Sequence, residues 1–211
     1  MNEAKFAQLR AVQPDVSRET FERLLAFETL FKDWNSRVNL ASATSTEVLW
    51  QRHVVDSAQL GLIAPMQGTW IDAGSGGGFP GIVLAILMRN SAHGHVHLIE
   101  SIGKKAAFLK AALAETGGSG TVHPMRIEDA HRLAITPQFV SARALAPLPD
   151  LLRLTLPWLK AGAKGFFHKG RRHEEEIAAT HGDWRFDLLK HQSKTDADSV
   201  ILEIFNVSHR L

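Results

Sequence analysis

The sequence predicts an α/β fold: a mostly parallel, seven-stranded sheet flanked by helices, with a helical N-terminal cap and a C-terminal antiparallel strand pair. Three observations predict it. After Gly68 short β-rich runs alternate with helix-periodic runs, and this alternation is the pattern of a doubly wound sheet. The first strand–helix junction is a glycine-rich turn, "DAGSGGGFPG". The last two β-rich runs follow one another directly, which predicts a hairpin-like pair.

From Ser17 to Asn35 the apolar positions Phe21, Leu24, Leu25, Phe31 and Trp34 fall at helix spacing, with Phe27 and Leu30 widening the face and Ser17 able to cap the start. A second helical stretch begins near Thr46 and carries Val48, Leu49, Val54, Val55 and Leu60. "APMQG" then punctuates the chain, so residues 1–66 read as a helical cap and 67–211 as the main domain. In that domain "TWIDAG" is a strand, "PGIVLAILMRN" a helix with Pro80 in its first turn, "HVHLIE" a strand, and "GKKAAFLKAALAETG" a helix closed by Gly. "TVHPMRI" and "FVSARAL" are candidate strands around one loop, "LPDLLRLTLPWL" a helix, "AKGFFHKG" a strand and "RRHEEEIAAT" a short helix. "RFDLLKHQ" and "VILEIFNV" form the closing pair.

The totals exclude several classes. The 211 residues are 45% hydrophobic, enough for one real core, and no apolar run is long enough to span a bilayer. With charges in place of a signal peptide's apolar stretch, a cytoplasmic protein is expected. There is no cysteine, so disulfides, thiolate catalysis and Cys-ligated zinc are excluded. A net charge of +2 and a pI near 9.0 are compatible with nucleic acid and do not require it. His93, His95 and His97 alternate along "HGHVH"; without an acidic partner at ligand spacing they read as strand-edge polar residues, and no metal is expected.

Strand, glycine turn and helix form the first unit of a nucleotide-binding α/β fold, whose ligand sits at the C-terminal strand ends. A dinucleotide loop of the form G-x-G-x-x-G would use Gly74 and Gly76, but its third glycine is Phe79, and Pro80 has no N–H to offer a phosphate. The loop reads better as D-x-G-x-G-x-G, from Asp72 through Gly74, Gly76 and Gly78. That form suits S-adenosylmethionine, which has no phosphate: Asp72 would stand near its cationic methionine end, and turn N–H groups would meet its carboxylate. Glu100, ending the next strand, would accept from the ribose hydroxyls, a role common to nicotinamide and adenosylmethionine sites. A small-molecule methyltransferase and a non-catalytic nucleic-acid-binding protein remain open on these residues alone.

"WNSRVNLAS", "RHVVDS", "DAGSGGGFPG", "LIESIGKKAAFL", "SARAL" and "HKG" occur in this order, and the set resembles the RsmG/GidB family of bacterial 16S ribosomal RNA guanine-N7 methyltransferases from about Phe21 to the C-terminus. The resemblance implies a Rossmann-like S-adenosylmethionine-dependent fold and methylation of one guanine in the 530 loop of the small-subunit RNA. It also implies cofactor contacts at Gly74, Phe79, Ile127, Glu128 and Arg143. Two positions depart from the family's habit: Glu100 stands where Asp is common, and Ala41 where Thr is frequent.

Guanine N7 carries an available lone pair, so the implied chemistry needs positioning more than a general base. Candidates to orient the base are Asn39, His53, Asp56, Arg143 and Lys169, with His53 and Asp56 expected on one helix face. Phosphates would meet Lys104, Lys105, Lys164, Lys169, Arg171 and Arg172, while Glu174 to Glu176 are expected to face away. The implied partner is 16S ribosomal RNA or the small subunit, and a monomer is expected.

Overall fold

The computed structural model describes residues 2–40 and 48–210, so Ala41 and the start of the helix expected near Thr46 lie outside the described residues. Helix α1 spans Asn2–Arg10 and α2 spans Arg18–Val38. Ser17 caps α2 by accepting from the Thr20 N–H at 3.1 Å, and the helix buries Phe21, Leu24, Phe27 and Phe31. It ends at Asn39, whose φ of 57° is left-handed; Asn is among the few side chains that tolerate this. Next comes a π-helical turn, Trp50–Val55, running into the short α3, Asp56–Ala58, and a 3₁₀ turn, Gln59–Leu62. Glu28 is buried on α2 between Lys5 of α1 and Lys32, which pins the first two helices together.

The main unit runs β1 (Thr69–Ala73), α4 (Gly81–Leu87), β2 (His95–Ile99), α5 (Gly103–Thr116), β3 (Gly120–His123), α6 (Ile127–Ala130), β4 (Phe139–Arg143), α7 (Leu148–Lys160), β5 (Lys164–Lys169), α8 (His173–Ala178), β6 (Trp184–Gln192) and β7 (Val200–His209). The sheet order is β3-β2-β1-β4-β5-β7-β6, with β1 to β5 parallel and β7 antiparallel to both β5 and β6. The expected fold class and closing pair are therefore observed. One apolar cluster joins α1, α2, α4 and α5 to one sheet face through Phe27, Phe31, Ile82, Phe108 and Trp70; a second lies on the other face under α7.

Two local expectations are corrected. "TVHPMRI" is not one strand: β3 stops at His123, because Pro124 has no N–H for the ladder, and Ile127 opens α6. Pro80 does not lie within the helix but stands at its N-cap, ahead of Gly81.

Candidate active site

The glycine turn leaves β1 at Ala73 and enters α4 at Gly81. Gly74, Gly76 and Gly78 all have positive φ, 69°, 52° and 87°, a conformation costly for side chains with a Cβ. A Cβ at Gly74 would strike Leu145, and one at Gly78 would strike Ile82. At Gly76 it would meet, among the described residues, only the Gly74 carbonyl, at 3.8 Å, so the Gly76 face of the loop is open to them.

That open face borders a cleft of about 650 Å³ at the C-terminal strand ends. Gly74, Gly76, Phe79, Glu100, Ile127, Glu128, Lys105 and Arg143 all line it. Glu100 is buried and does two jobs inside the loop: Oε2 accepts from the Gly76 N–H at 2.8 Å and Oε1 from the Ile102 N–H at 2.7 Å. One of the turn N–H groups, that of Gly76, is thus already bonded to Glu100. Each Glu100 oxygen keeps a further lone pair for a hydroxyl. Phe79 joins core and cleft: one side packs on Phe27 and Phe31, with ring centroids 5.3 and 5.4 Å away, and the tilted ring of His53 lies beside it at 5.0 Å.

Asp72 corrects the reading of its charge. It does not line the cleft but is 1% exposed beneath the loop, where Oδ1 accepts from Ser141 Oγ at 2.8 Å and Oδ2 faces Gly81, with no hydrogen-bond partner among the described residues. Burial pushes its carboxyl up to about 6. Its side chain lies over the β1–β4 pairing of Asp72 with Ser141 and against Gly81, so it braces the turn from below. Gly78 likewise shapes the turn against Ile82 and does not border the cleft.

A second cavity, about 580 Å³, adjoins the first. His53, Arg143, Ala144 and Leu145 line both. Arg143 is held by Asp56 Oδ2 at 3.2 Å and donates to the Arg52 carbonyl at 2.8 Å. Asp56 is itself fixed from the far end of the chain: Oδ1 accepts from Thr195 Oγ1 at 2.7 Å, Gln59 Nε2 at 2.7 Å and Ser193 Oγ at 3.3 Å. His53 is mostly buried, and desolvation first, then the Arg143 cation, lowers its pKa to about 4. The imidazole is therefore neutral at physiological pH. Lys169, 8% exposed, borders this second cavity; its Nζ donates to the Ala146 carbonyl at 2.8 Å and to Glu176 Oε2 at 2.7 Å.

His53, Arg143 and Lys169 thus converge, as do Gly74, Gly76, Phe79, Glu100, Ile127 and Glu128. Asn39 does not join them: it is exposed at the end of α2 and borders neither cavity. Lys104 is exposed and Lys105 lines the cleft, both at the start of α5. Arg171 and Arg172 are exposed but paired, with Asp198 at 2.6 Å and Glu175 at 2.8 Å. Lys164 is displaced from the group. It opens β5, at the opposite end of the parallel strands, and bonds Glu203 at 2.8 Å. The acidic run does not all face away: Glu176 turns inward to Lys169 because α8 follows β5 immediately and packs back on α7. His95 and His97 share a face with His123, and His97 Nδ1 lies 3.0 Å from His123 Nε2. Sequence reasoning missed Glu176, Gln59, Ser193 and Thr195. A polar side chain in "QSKTD" carries no local mark of reaching a partner more than a hundred positions earlier.

The family model described as rRNA small subunit methyltransferase G matches residues 20–203. A ribosomal RNA small subunit methyltransferase G of Chelativorans sp. is 50% identical over 95% of this chain and 95% of its own. The one from Brucella canis is 48% identical over 98% and 97%. Among solved structures, magnesium protoporphyrin IX methyltransferase from Synechocystis, with bound SAM, aligns at a TM-score of 0.56, with 16% identity and 88% and 97% of the two chains covered. The cofactor-bound Rv0187 from MTB aligns at 0.58, with 16% identity over 87% and 89%. At such identity these two likenesses show the fold.

Proposed function

This chain belongs to the GidB family, the rRNA small subunit methyltransferases G, and from that premise we propose that it methylates N7 of a guanine in the 530 loop of bacterial 16S ribosomal RNA, using S-adenosylmethionine. The observation that carries the reading is the pair of cavities sharing the wall His53, Arg143, Ala144 and Leu145. The cleft over the glycine turn takes the cofactor, and the polar cavity beside it takes the base. The residues suit the cofactor: the Gly76 face is open, and about 650 Å³ lies within the range of small-molecule sites.

In this reading Gly74, Gly76, Phe79, Ile127 and Glu128 form the cofactor's bed, Glu100 accepts from its ribose, and Asp72 and Gly78 hold the turn in shape. When bound, S-adenosylmethionine supplies an electrophilic methyl group. Arg143 and Lys169 orient the acceptor base, and neutral His53 packs between the two ligands without serving as a base. N7 has no proton to lose, so positioning is the main requirement. Lys104, Lys105, Arg171 and Arg172 meet RNA phosphates. Residues 1–66 act as a cap that backs the turn with α2, and the protein works on RNA in the cytoplasm as a monomer.

Mass mapping of 16S RNA from cells with and without the protein tests this. A single 7-methylguanine in the 530 loop, present only with the protein, is expected; unchanged modification of that loop overturns the reading.

A further inference from the structure

Among the described residues, three carboxylates border the second cavity: Asp56, Glu176 and Asp196. Asp56 is engaged on both oxygens, by three donors on Oδ1 and by the ion pair with Arg143 on Oδ2. Asp196 is engaged by the Asp198 N–H on Oδ1 and by Ser199 Oγ on Oδ2. Glu176 differs. Its Oε2 takes both Lys169 Nζ, at 2.7 Å, and the Leu148 N–H, at 2.8 Å, which anchors that oxygen. Its Oε1 has no hydrogen-bond partner among the described residues, although the side chain is only 25% exposed. Lys169 is complementary in its own accounting. An ammonium has three N–H groups; two are spent on the Ala146 carbonyl and Glu176, which leaves one.

A fixed, anionic acceptor therefore stands next to a single spare cationic donor. Guanine presents the matching edge: O6 accepts, and N1–H and N2–H beside it donate. Adenine presents a donor at N6 and an acceptor at N1, the reverse pattern. We infer that Glu176 is the residue that selects guanine, its Oε1 accepting from N1–H and N2–H while Lys169 donates to O6. The inference rests on the guanine reading above and deepens it. It also explains why Glu176 turns inward when its neighbours Glu174 and Glu175 pair with surface cations.

The test compares guanosine with inosine, which keeps N1–H and O6 but lacks the 2-amino group, at the one target position in reconstituted small subunits. Single-turnover methyl transfer is measured for the parent and for Glu176→Gln, with adenosylmethionine affinity by calorimetry and thermal unfolding alongside. Charge-assisted hydrogen bonds set the scale: the parent should prefer guanosine by about 10–100-fold. Glu176→Gln should lose a similar factor on guanosine, a smaller one on inosine, which keeps N1–H but lacks the 2-amino donor, and nothing in cofactor affinity. Equal rates on both bases in the parent overturn the inference while leaving N7 methylation intact, and they do so whether or not the variant folds. An undiminished guanosine preference in folded Glu176→Gln also overturns it. Absence of methylation on both bases by the parent overturns the guanine reading itself, and this inference with it.

Discussion

His53 lies with one side of its ring against Phe79 and lines both cavities, and its protonation is opposed by burial and by Arg143. With a pKa near 4 it stays neutral across the working range, so single-turnover methyl transfer should be nearly flat from about pH 6.5 to 8.5, above the unperturbed His pKa of ~6.5. His53→Ala should slow it by well under the ~10²–10⁴-fold typical of a lost general base. A steep rise with pH, lost in the variant, would refute this. The same shift has a sign for stability. The unfolded chain takes the proton at higher pH than the folded one, so the contribution is whole above the unfolded pKa, ~6.5, and is lost as pH falls towards about 4. Gly76 offers the cleanest steric probe, since among the described residues an added Cβ meets only the Gly74 carbonyl, at 3.8 Å. Gly76→Val should abolish adenosylmethionine binding in calorimetry. The left-handed φ should cost roughly 1–2 kcal/mol, which an intact core absorbs.

At the level of elements, α2 is the backing of the glycine turn. Phe27 contacts Phe79, Phe31 and Phe108, with ring centroids 5.3, 6.4 and 6.2 Å away, yet it borders neither cavity. Phe27→Ala should cost about 3–5 kcal/mol in denaturant unfolding, the usual range for a buried aromatic. It should also weaken cofactor binding under conditions where the variant stays folded, because Phe79 loses its support. Unchanged affinity would show that the cap is a separate layer with no part in the cleft. The segment Trp50–Leu62 is fixed at its other side by a polar network, Gln59 and Asp56 with Ser193 and Thr195, and that network sets Arg143 in place.

For the whole molecule the question is which cations an RNA meets. Net charge is only +2, so placement decides more than total. Lys104 and Lys105 have no ion-pair partner among the described residues, whereas Arg171 and Arg172 already hold Asp198 and Glu175. Lys104→Glu with Lys105→Glu should therefore lower the log–log salt slope of RNA binding by about 1–2 units, since each phosphate contact releases roughly one counterion. Arg171→Glu with Arg172→Glu should lower it by no more. Filter binding across a salt series reads both. An unaltered slope in the lysine variant would place the RNA surface elsewhere.

The sequence by itself determined the fold class, the strand–turn–helix unit and most of the residues that line the cleft beside the glycine turn. These depend on signals a few residues apart: periodicity, glycines at fixed offsets, an acid ending the next strand. Only the tertiary structure decided what each charge does. Asp72 reads as a ligand contact in the line of the sequence, but the strand turns it beneath the loop, where burial raises its pKa. Glu176 reads as one of three solvated acids, until the fold of α8 onto β5 and α7 brings it to Lys169. Lys164 and Lys169 belong to one strand, yet they stand at opposite ends of the sheet, and only Lys169 borders a cavity. Local spacing specifies backbone geometry. The partner of a charge is set by chain segments far apart in sequence, and that pairing governs its protonation and its use.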